Sequence, residues 1–151
     1  MSKIRMVLKN SSIVFATTIF CNCLATTMAV ADPLHTISFT TPSKNIDCVY
    51  MEDERDVPSL RCQTKFVLKP LPPKPADCDL DWGGGLTLAN NGQVSVVCAG
   101  DTVAGNYATL AYGRAWEKSG LRCVASRSGL TCKSRNGKGF FLSSRSWRRI
   151  F

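Results

Sequence analysis

The chain has 151 residues, a formal net charge of +8 and a single histidine. This length suits one domain and argues against a multidomain protein. The composition argues against a histidine-activated nucleophile. The one histidine, His35, would lie near the start of the mature chain, where a catalytic base is poorly held.

The first 31 residues have the pattern of a signal peptide. Three basic residues, Lys3, Arg5 and Lys9, precede an uncharged, mainly apolar stretch over 13–30, and residues 29–31 read Ala-Val-Ala. We predict cleavage after Ala31 and export to the periplasm or the medium, with no transmembrane span in the mature chain, residues 32–151. An uncleaved membrane anchor is the alternative, because the apolar stretch approaches the length that spans a bilayer.

Six cysteines remain once Cys21 and Cys23 leave with the signal peptide. An even number in an exported domain predicts a disulfide framework. Zinc sites need closely spaced cysteine pairs, and the six remaining cysteines include none. Many pairings are possible, but sequence order favours three that would each close a hairpin between neighbouring strands. The favoured pairs are Cys48–Cys62, Cys78–Cys98 and Cys123–Cys132.

Hydrophobic residues recur at every second position, which favours β-strands. Most of the six cysteines have an apolar residue two positions earlier, as in Ile46-Asp47-Cys48 and Val96-Val97-Cys98, so both side chains would face the core. Asn91-Gly92 and Asn136-Gly137 favour two-residue hairpin loops. We predict an all-β, mainly antiparallel fold. It would be a small disulfide-stapled meander, sandwich or partly open barrel, with at most one short helical turn over 143–149.

Four prolines lie within residues 70–75. Proline has no N–H to donate to a sheet ladder, so this segment is unsuited to a central strand. We interpret it as an extended crossover between two lobes of a single domain, because residues 32–69 are too few to fold alone.

Residues 77–83 alternate three aspartates with apolar residues. As a strand, this segment would point Cys78, Leu80 and Trp82 inward and the aspartates outward. Alternate carboxylates also suggest a calcium loop, because hard cations bind several carboxylate oxygens. The candidate ligands are Asp77, Asp79 and Asp81. The glycine and the bidentate glutamate of such a loop are missing at the required spacing, so we predict no metal and no other cofactor.

Charge is divided unevenly along the chain. Residues 32–101 have six Lys/Arg against ten Asp/Glu, whereas residues 102–151 have ten against one. Near the C-terminus, basic and aromatic residues interleave, a pattern that suits phosphate-rich polymers and anionic lipid headgroups. An ordinary solvated face is the alternative interpretation. The candidate anion-binding residues are Lys133, Arg135, Lys138, Arg145, Trp147, Arg148 and Arg149.

Five strings occur in a characteristic order over 39–48, 75–83, 98–103, 110–113 and 129–140. Together they resemble an uncharacterised family of small exported bacterial proteins, known as a domain of unknown function. The resemblance covers nearly all of the mature chain and implies a bacterial, extracytoplasmic origin, but it implies no activity and no functional residues. Lys44 departs from the pattern, because a glycine is expected there in a Pro-Ser-Gly-Asn turn.

No catalytic pattern stands out in the sequence. The leading hypothesis is an exported, non-enzymatic binding or structural module that contacts anionic envelope components through a basic C-terminal face. Its partner would be an envelope polymer or an envelope protein, and we expect no nucleic acid. One alternative is an inhibitor of an envelope-attacking hydrolase. Another is a carboxylate-dependent cell-wall glycan hydrolase, which would need two acidic residues and no histidine.

Overall fold

The structure, a computed structural model, describes residues 37–52 and 56–151. The predicted signal peptide and His35 lie outside the described residues. Two antiparallel five-stranded sheets form the domain, and the described part of the chain contains no helix. Sheet A consists of β1 (Ser38–Thr40), β2 (Ile46–Met51), β3 (Ser59–Thr64), β4 (Trp82–Ala89) and β5 (Val94–Cys98). Sheet B consists of β6 (Ala115–Lys118), β7 (Leu121–Ser126), β8 (Gly129–Ser134), β9 (Gly139–Leu142) and β10 (Trp147–Ile150).

Each sheet is a simple meander, with its strands in chain order. The inner faces of the two sheets share one hydrophobic core, in which β4 packs against β8 and β9. Near the start of both meanders, the ring of Phe39 on β1 lies 5.3 Å from the ring of Trp116 on β6. The predicted all-β antiparallel fold is therefore confirmed. Its form is a sandwich of two meanders, and the sheets do not close into a barrel.

Residues 143–149, where the sequence predicts at most one short helical turn, contain none. Residues 143–146 form a tight turn in which the Ser143 N–H donates to the Ser146 carbonyl, and the chain then pairs with β9 as β10. This pairing places Trp147 opposite Leu142, where its ring packs against the core. Tertiary burial of a large aromatic side chain outweighs any local helix preference.

The disulfides join Cys48 to Cys62, Cys78 to Cys98 and Cys123 to Cys132, the pairs favoured by sequence order. Two of them link residues directly opposite one another, across β2–β3 and β7–β8. Cys98 is exposed, so the prediction that it faces the core beside Val96 is wrong. The β4–β5 register shifts between Trp82 and Leu86, and Cys98 lies beyond that shift at the end of the strand.

The two sheets repeat each other strand by strand. In both sheets, a disulfide joins the second strand to the third. A buried aromatic residue on the first strand lies opposite the first cysteine of that disulfide. A glycine on the fourth strand lies opposite the residue that follows the second cysteine. The equivalent pairs are Cys48–Cys62 with Cys123–Cys132, Phe39–Cys48 with Trp116–Cys123, and Gln63–Gly85 with Lys133–Gly139. The sandwich is thus two copies of one five-strand unit.

The proline-rich segment does not connect two lobes. Residues 65–81 leave β3 and return to β4, its neighbour in sheet A, whereas residues 99–114 connect the two sheets. The prolines lie outside the sheet because they offer no ladder N–H groups. The strand considered over 77–83 begins only at Trp82, and Leu80, which was expected to point inward, is 53% exposed.

The two Asn-Gly turns are longer than the predicted two-residue loops. In the β4–β5 turn, the Gly92 N–H donates to the Ala89 carbonyl, and the Ala89 N–H donates to the Gln93 carbonyl. Of the pair Asn91-Gly92, only Gly92 has a positive φ, +89°. In the β8–β9 turn, Gly137 likewise has a positive φ, whereas Asn136 does not. An ordinary turn followed by a left-handed glycine closes both hairpins, so the asparagine needs no positive φ.

The turn before β2 gives a direct stability prediction. Lys44 has a φ of +56°, a left-handed conformation that suits glycine, as the family pattern implies. Lys44→Gly should raise the free energy of unfolding by about 0.5 kcal/mol, because relief of strain exceeds the added freedom of the unfolded chain. Lys65→Gly, at an exposed lysine without positive φ, is the control and should lower it. Chemical denaturation measures both, and destabilisation by Lys44→Gly would contradict the strain argument.

Candidate binding groove

A groove of about 820 Å³ lies where the last strands of the two sheets meet the proline-rich segment. β5 and β10 are both outer strands, each with one edge unpaired within its sheet. The groove lining is mainly apolar, and it includes the rings of Trp82 and Trp147 together with the exposed Phe151. The proline wall is formed by Pro70, Pro72, Pro73 and Pro75. A concave, aromatic-lined surface of this kind is typical of ligand sites.

Three contacts fix the proline wall. The indole N–H of Trp82 donates to the Pro72 carbonyl at 2.9 Å, and the indole N–H of Trp147 donates to the Pro70 carbonyl at 2.8 Å. The Cys78–Cys98 disulfide ties the end of the segment to β5. Both indole N–H groups are thereby satisfied, so the ring faces are held in place without a ligand. A preformed site pays less ordering entropy on binding.

The electrostatics of the groove favour an anion. Arg148 and Arg149 line it, and the guanidinium of Arg148 lies 4.4 Å from the centroid of the Phe141 ring. Neither arginine forms an ion pair with a described carboxylate. Asp77 is the one acidic side chain among the described lining residues. Among the side chains that line the groove, two guanidinium groups therefore face one carboxylate, an excess of one positive charge.

The sequence model of a family of unknown function, DUF6636, matches residues 18–151. The chain belongs to this family. The resemblance inferred from the ordered strings is therefore confirmed at the level of the family. DUF6636 has no assigned function, so no residue role transfers to this chain. No curated protein and no solved structure matches this chain.

The fold of the DUF6636 chain separates the seven candidate anion-binding residues. Trp147, Arg148 and Arg149 line the groove. Lys133 and Arg135 line a different depression, at the β6–β7 turn. Lys138 shares a small depression with Arg149, and Arg145 lies exposed in the turn before β10. The basic C-terminal half thus presents two centres of charge and no single face.

The three candidate calcium ligands of the DUF6636 chain are all exposed. Within the described residues, no group of three or more His, Cys, Asp or Glu side chains is arranged to hold a metal ion, so Asp77, Asp79 and Asp81 do not form such a site. Asp77 lines the groove instead. The three aspartates lie in the connection before β4, outside both sheets.

The proline wall and Trp82 are parts of the groove that the sequence did not predict. Trp82 was interpreted as a core residue and the prolines as a crossover. The sequence signal was the close spacing of four prolines before a tryptophan, because proline-rich segments favour a stiff, extended conformation.

Three disulfides are typical of an oxidising compartment. Among the described residues, no helix has the length and hydrophobicity that membrane spanning requires.

Proposed function

We propose that this protein is an exported, non-enzymatic module that binds an anionic envelope glycan in the groove. The observation that carries the proposal is the pairing of two fixed indole rings with two arginines that have no described carboxylate partner. Export is supported by the signal-peptide pattern and the three disulfides. N-terminal sequencing of the recovered protein should begin at Asp32.

The two kinds of side chain address two features of such a ligand. The apolar C–H face of a sugar ring packs against an aromatic face, and Trp82 and Trp147 each present a large one. A carboxylate or phosphate on the sugar accepts paired hydrogen bonds from a guanidinium. Arg149 is exposed at the groove, so its charge is accessible from solvent. A chain-like glycan also suits an open groove bounded by a rigid wall.

A glycan hydrolase has less support from the groove. Glycosidases of the usual kind need two carboxyl groups roughly 5–10 Å apart. Asp77 is the one carboxylate among the described residues that line the groove. The inhibitor alternative has no specific observation in its favour.

The test uses purified, disulfide-intact protein and alginate oligomers, with neutral dextran as the uncharged comparison. Alginate should bind and dextran should bind at least tenfold more weakly, since one lost charge-assisted hydrogen bond corresponds to about tenfold in affinity. Arg149→Gln should weaken alginate binding about tenfold, and binding should fall with added salt.

Arg127→Gln is the matched control, because Arg127 is an exposed arginine of the β7–β8 turn that packs on the Tyr112 ring and does not line the groove. It should change alginate binding less than about twofold. Equal weakening by both substitutions, or equal binding of dextran and alginate, would refute the groove as the site. New reducing ends in the alginate would favour the hydrolase.

A further inference from the structure

A second basic site lies at the β6–β7 turn, apart from the groove. A depression of about 640 Å³ is lined by four cationic side chains, and it shares no lining residue with the groove. The four cations are Lys118, Arg122, Lys133 and Arg135. Glu117 is the one carboxylate among the described residues that line it. We call this depression the basic basin.

The side chain of Lys118 is positioned by the Tyr50 ring. Its Nζ lies 5.1 Å from the centroid of the Tyr50 ring, and the Tyr50 hydroxyl donates to Ser119 Oγ at 2.6 Å. Burial raises the pKa of Tyr50, so this ring stays neutral and keeps its proton for that hydrogen bond. Ser119 and Gly120 both have positive φ, which makes a tight hairpin turn at the floor of the basin.

Arg135 is held by packing against that turn. A Cβ on Gly120 would lie 2.7 Å from Arg135 Nε and 3.0 Å from its Cδ, so the arginine stem rests directly on the glycine backbone. Arg122 is positioned by Glu117, whose Oε1 accepts from Arg122 Nε at 2.6 Å. That bond uses one donor of the guanidinium and neutralises one of the four charges.

Three cations remain without a described carboxylate partner: Lys118, Lys133 and Arg135. Like charges gathered in one depression repel each other, so the arrangement costs stability in the absence of an anion. A single carboxylate, with two oxygens, is satisfied by one arginine. A phosphate group offers three or more acceptor oxygens and up to two negative charges, which matches several converging cations.

We infer that the basic basin binds a phosphate group. The inference is independent of the groove and of the glycan proposal, since different residues carry each. It goes beyond the family assignment, because DUF6636 has no assigned ligand. The phosphate could belong to a soluble chain of phosphates or to a lipid headgroup, and both present the same chemistry to the basin.

The experiment is a two-dimensional ¹H–¹⁵N NMR titration of the disulfide-intact protein with inorganic pyrophosphate. The backbone amides of Ser119 and Gly120 should shift and saturate at millimolar ligand or below. The double substitution Lys133→Gln with Arg135→Gln should weaken binding at least tenfold. Both side chains are exposed, so the variant should fold, and its dispersed spectrum would verify this.

Arg114→Gln with Arg127→Gln is the matched control, because it removes the same charge from exposed arginines that do not line the basin. It should weaken pyrophosphate binding less than about threefold, through the loss of general attraction alone. Absence of saturable shifts at Ser119 and Gly120, or equal weakening by the two double variants, would overturn the inference.

Vesicles identify the source of the phosphate. Sedimentation with phosphatidylglycerol vesicles, lost in Lys133→Gln with Arg135→Gln and absent with phosphatidylcholine, would assign the basin to lipid headgroups. Saturable pyrophosphate binding without vesicle binding would assign it to a soluble phosphate compound. Failure of the pyrophosphate titration would overturn the inference whatever the vesicles show, and it would leave the alginate test of the groove unaffected.

Discussion

Gly85→Ala should prevent the domain from folding stably, whereas Gly84→Ala, one position away on β4, should be tolerated. A Cβ on Gly85 would lie 2.0 Å from the Cys62 carbonyl oxygen and 2.7 Å from the Gln63 Cα, and both are backbone atoms of the neighbouring strand. These atoms cannot move aside without breaking the β3–β4 ladder. We expect a loss of about 4 kcal/mol or more, which is a large part of a typical domain stability.

Gly84 is the matched control within the same strand. The nearest atom to a Cβ there is Gln63 Nε2 at 3.5 Å, an ordinary contact with a flexible side chain. Gly84→Ala should change the free energy of unfolding by less than about 1 kcal/mol. Gly139→Ala tests the repeat, because its Cβ would lie 1.9 Å from the Cys132 carbonyl oxygen in sheet B. Urea denaturation compares the three variants, and a wild-type midpoint for Gly85→Ala would contradict the close strand approach.

Reduction of the three disulfides should unfold the protein at ambient temperature. By the loop-entropy estimate each bridge contributes about 3 kcal/mol, so three contribute about 9, within the range of a whole domain's stability. Near-ultraviolet circular dichroism before and after treatment with a thiol reductant measures the change. Retention of the native spectrum after complete reduction would show that the core alone holds the sandwich.

The individual bridges should differ in their effect on binding. Replacing Cys123 and Cys132 by alanine removes a bridge inside the core, far along the chain from the proline wall, and should leave alginate affinity within about twofold where the variant is folded. Replacing Cys78 and Cys98 by serine frees one end of the wall, so alginate affinity should fall about tenfold through lost preorganisation. Equal affinities for the two variants would remove the wall from the binding site.

Local sequence patterns predicted much of the fold. The period-two spacing of apolar residues around Cys48, Cys62, Cys123 and Cys132 predicted strands with inward sulfurs, and the four side chains are buried. The same rule failed at Cys98, which lies at the end of β5 beyond a register shift between β4 and β5, and such a shift has no local signature in the sequence. The sequence allows at most one helical turn over 143–149, and the chain has none there because Trp147 pairs with a partner strand instead.

The groove could not be predicted because it depends on which strands become outer strands. Trp82 and Trp147 are far apart in sequence, and each is separately typical of a core strand. They line one groove because β4 and β10 lie toward the later strands of two matching meanders. The prediction of a single basic face depended in the same way on strand positions that the sequence does not reveal. Its members are close in sequence, but strand alternation and the turns send them to two different sites.

The three tryptophans offer the most direct test of the groove as the binding site. In an ¹H–¹⁵N spectrum, each indole N–H gives its own signal. Trp82 and Trp147 line the groove, whereas Trp116 is fully buried beside Phe39, on the part of the sandwich where both meanders begin. On titration with alginate oligomers, the signals of Trp82 and Trp147 should shift together with one dissociation constant, while that of Trp116 stays fixed. Binding that shifts Trp116 alone, or none of the three, would contradict the account.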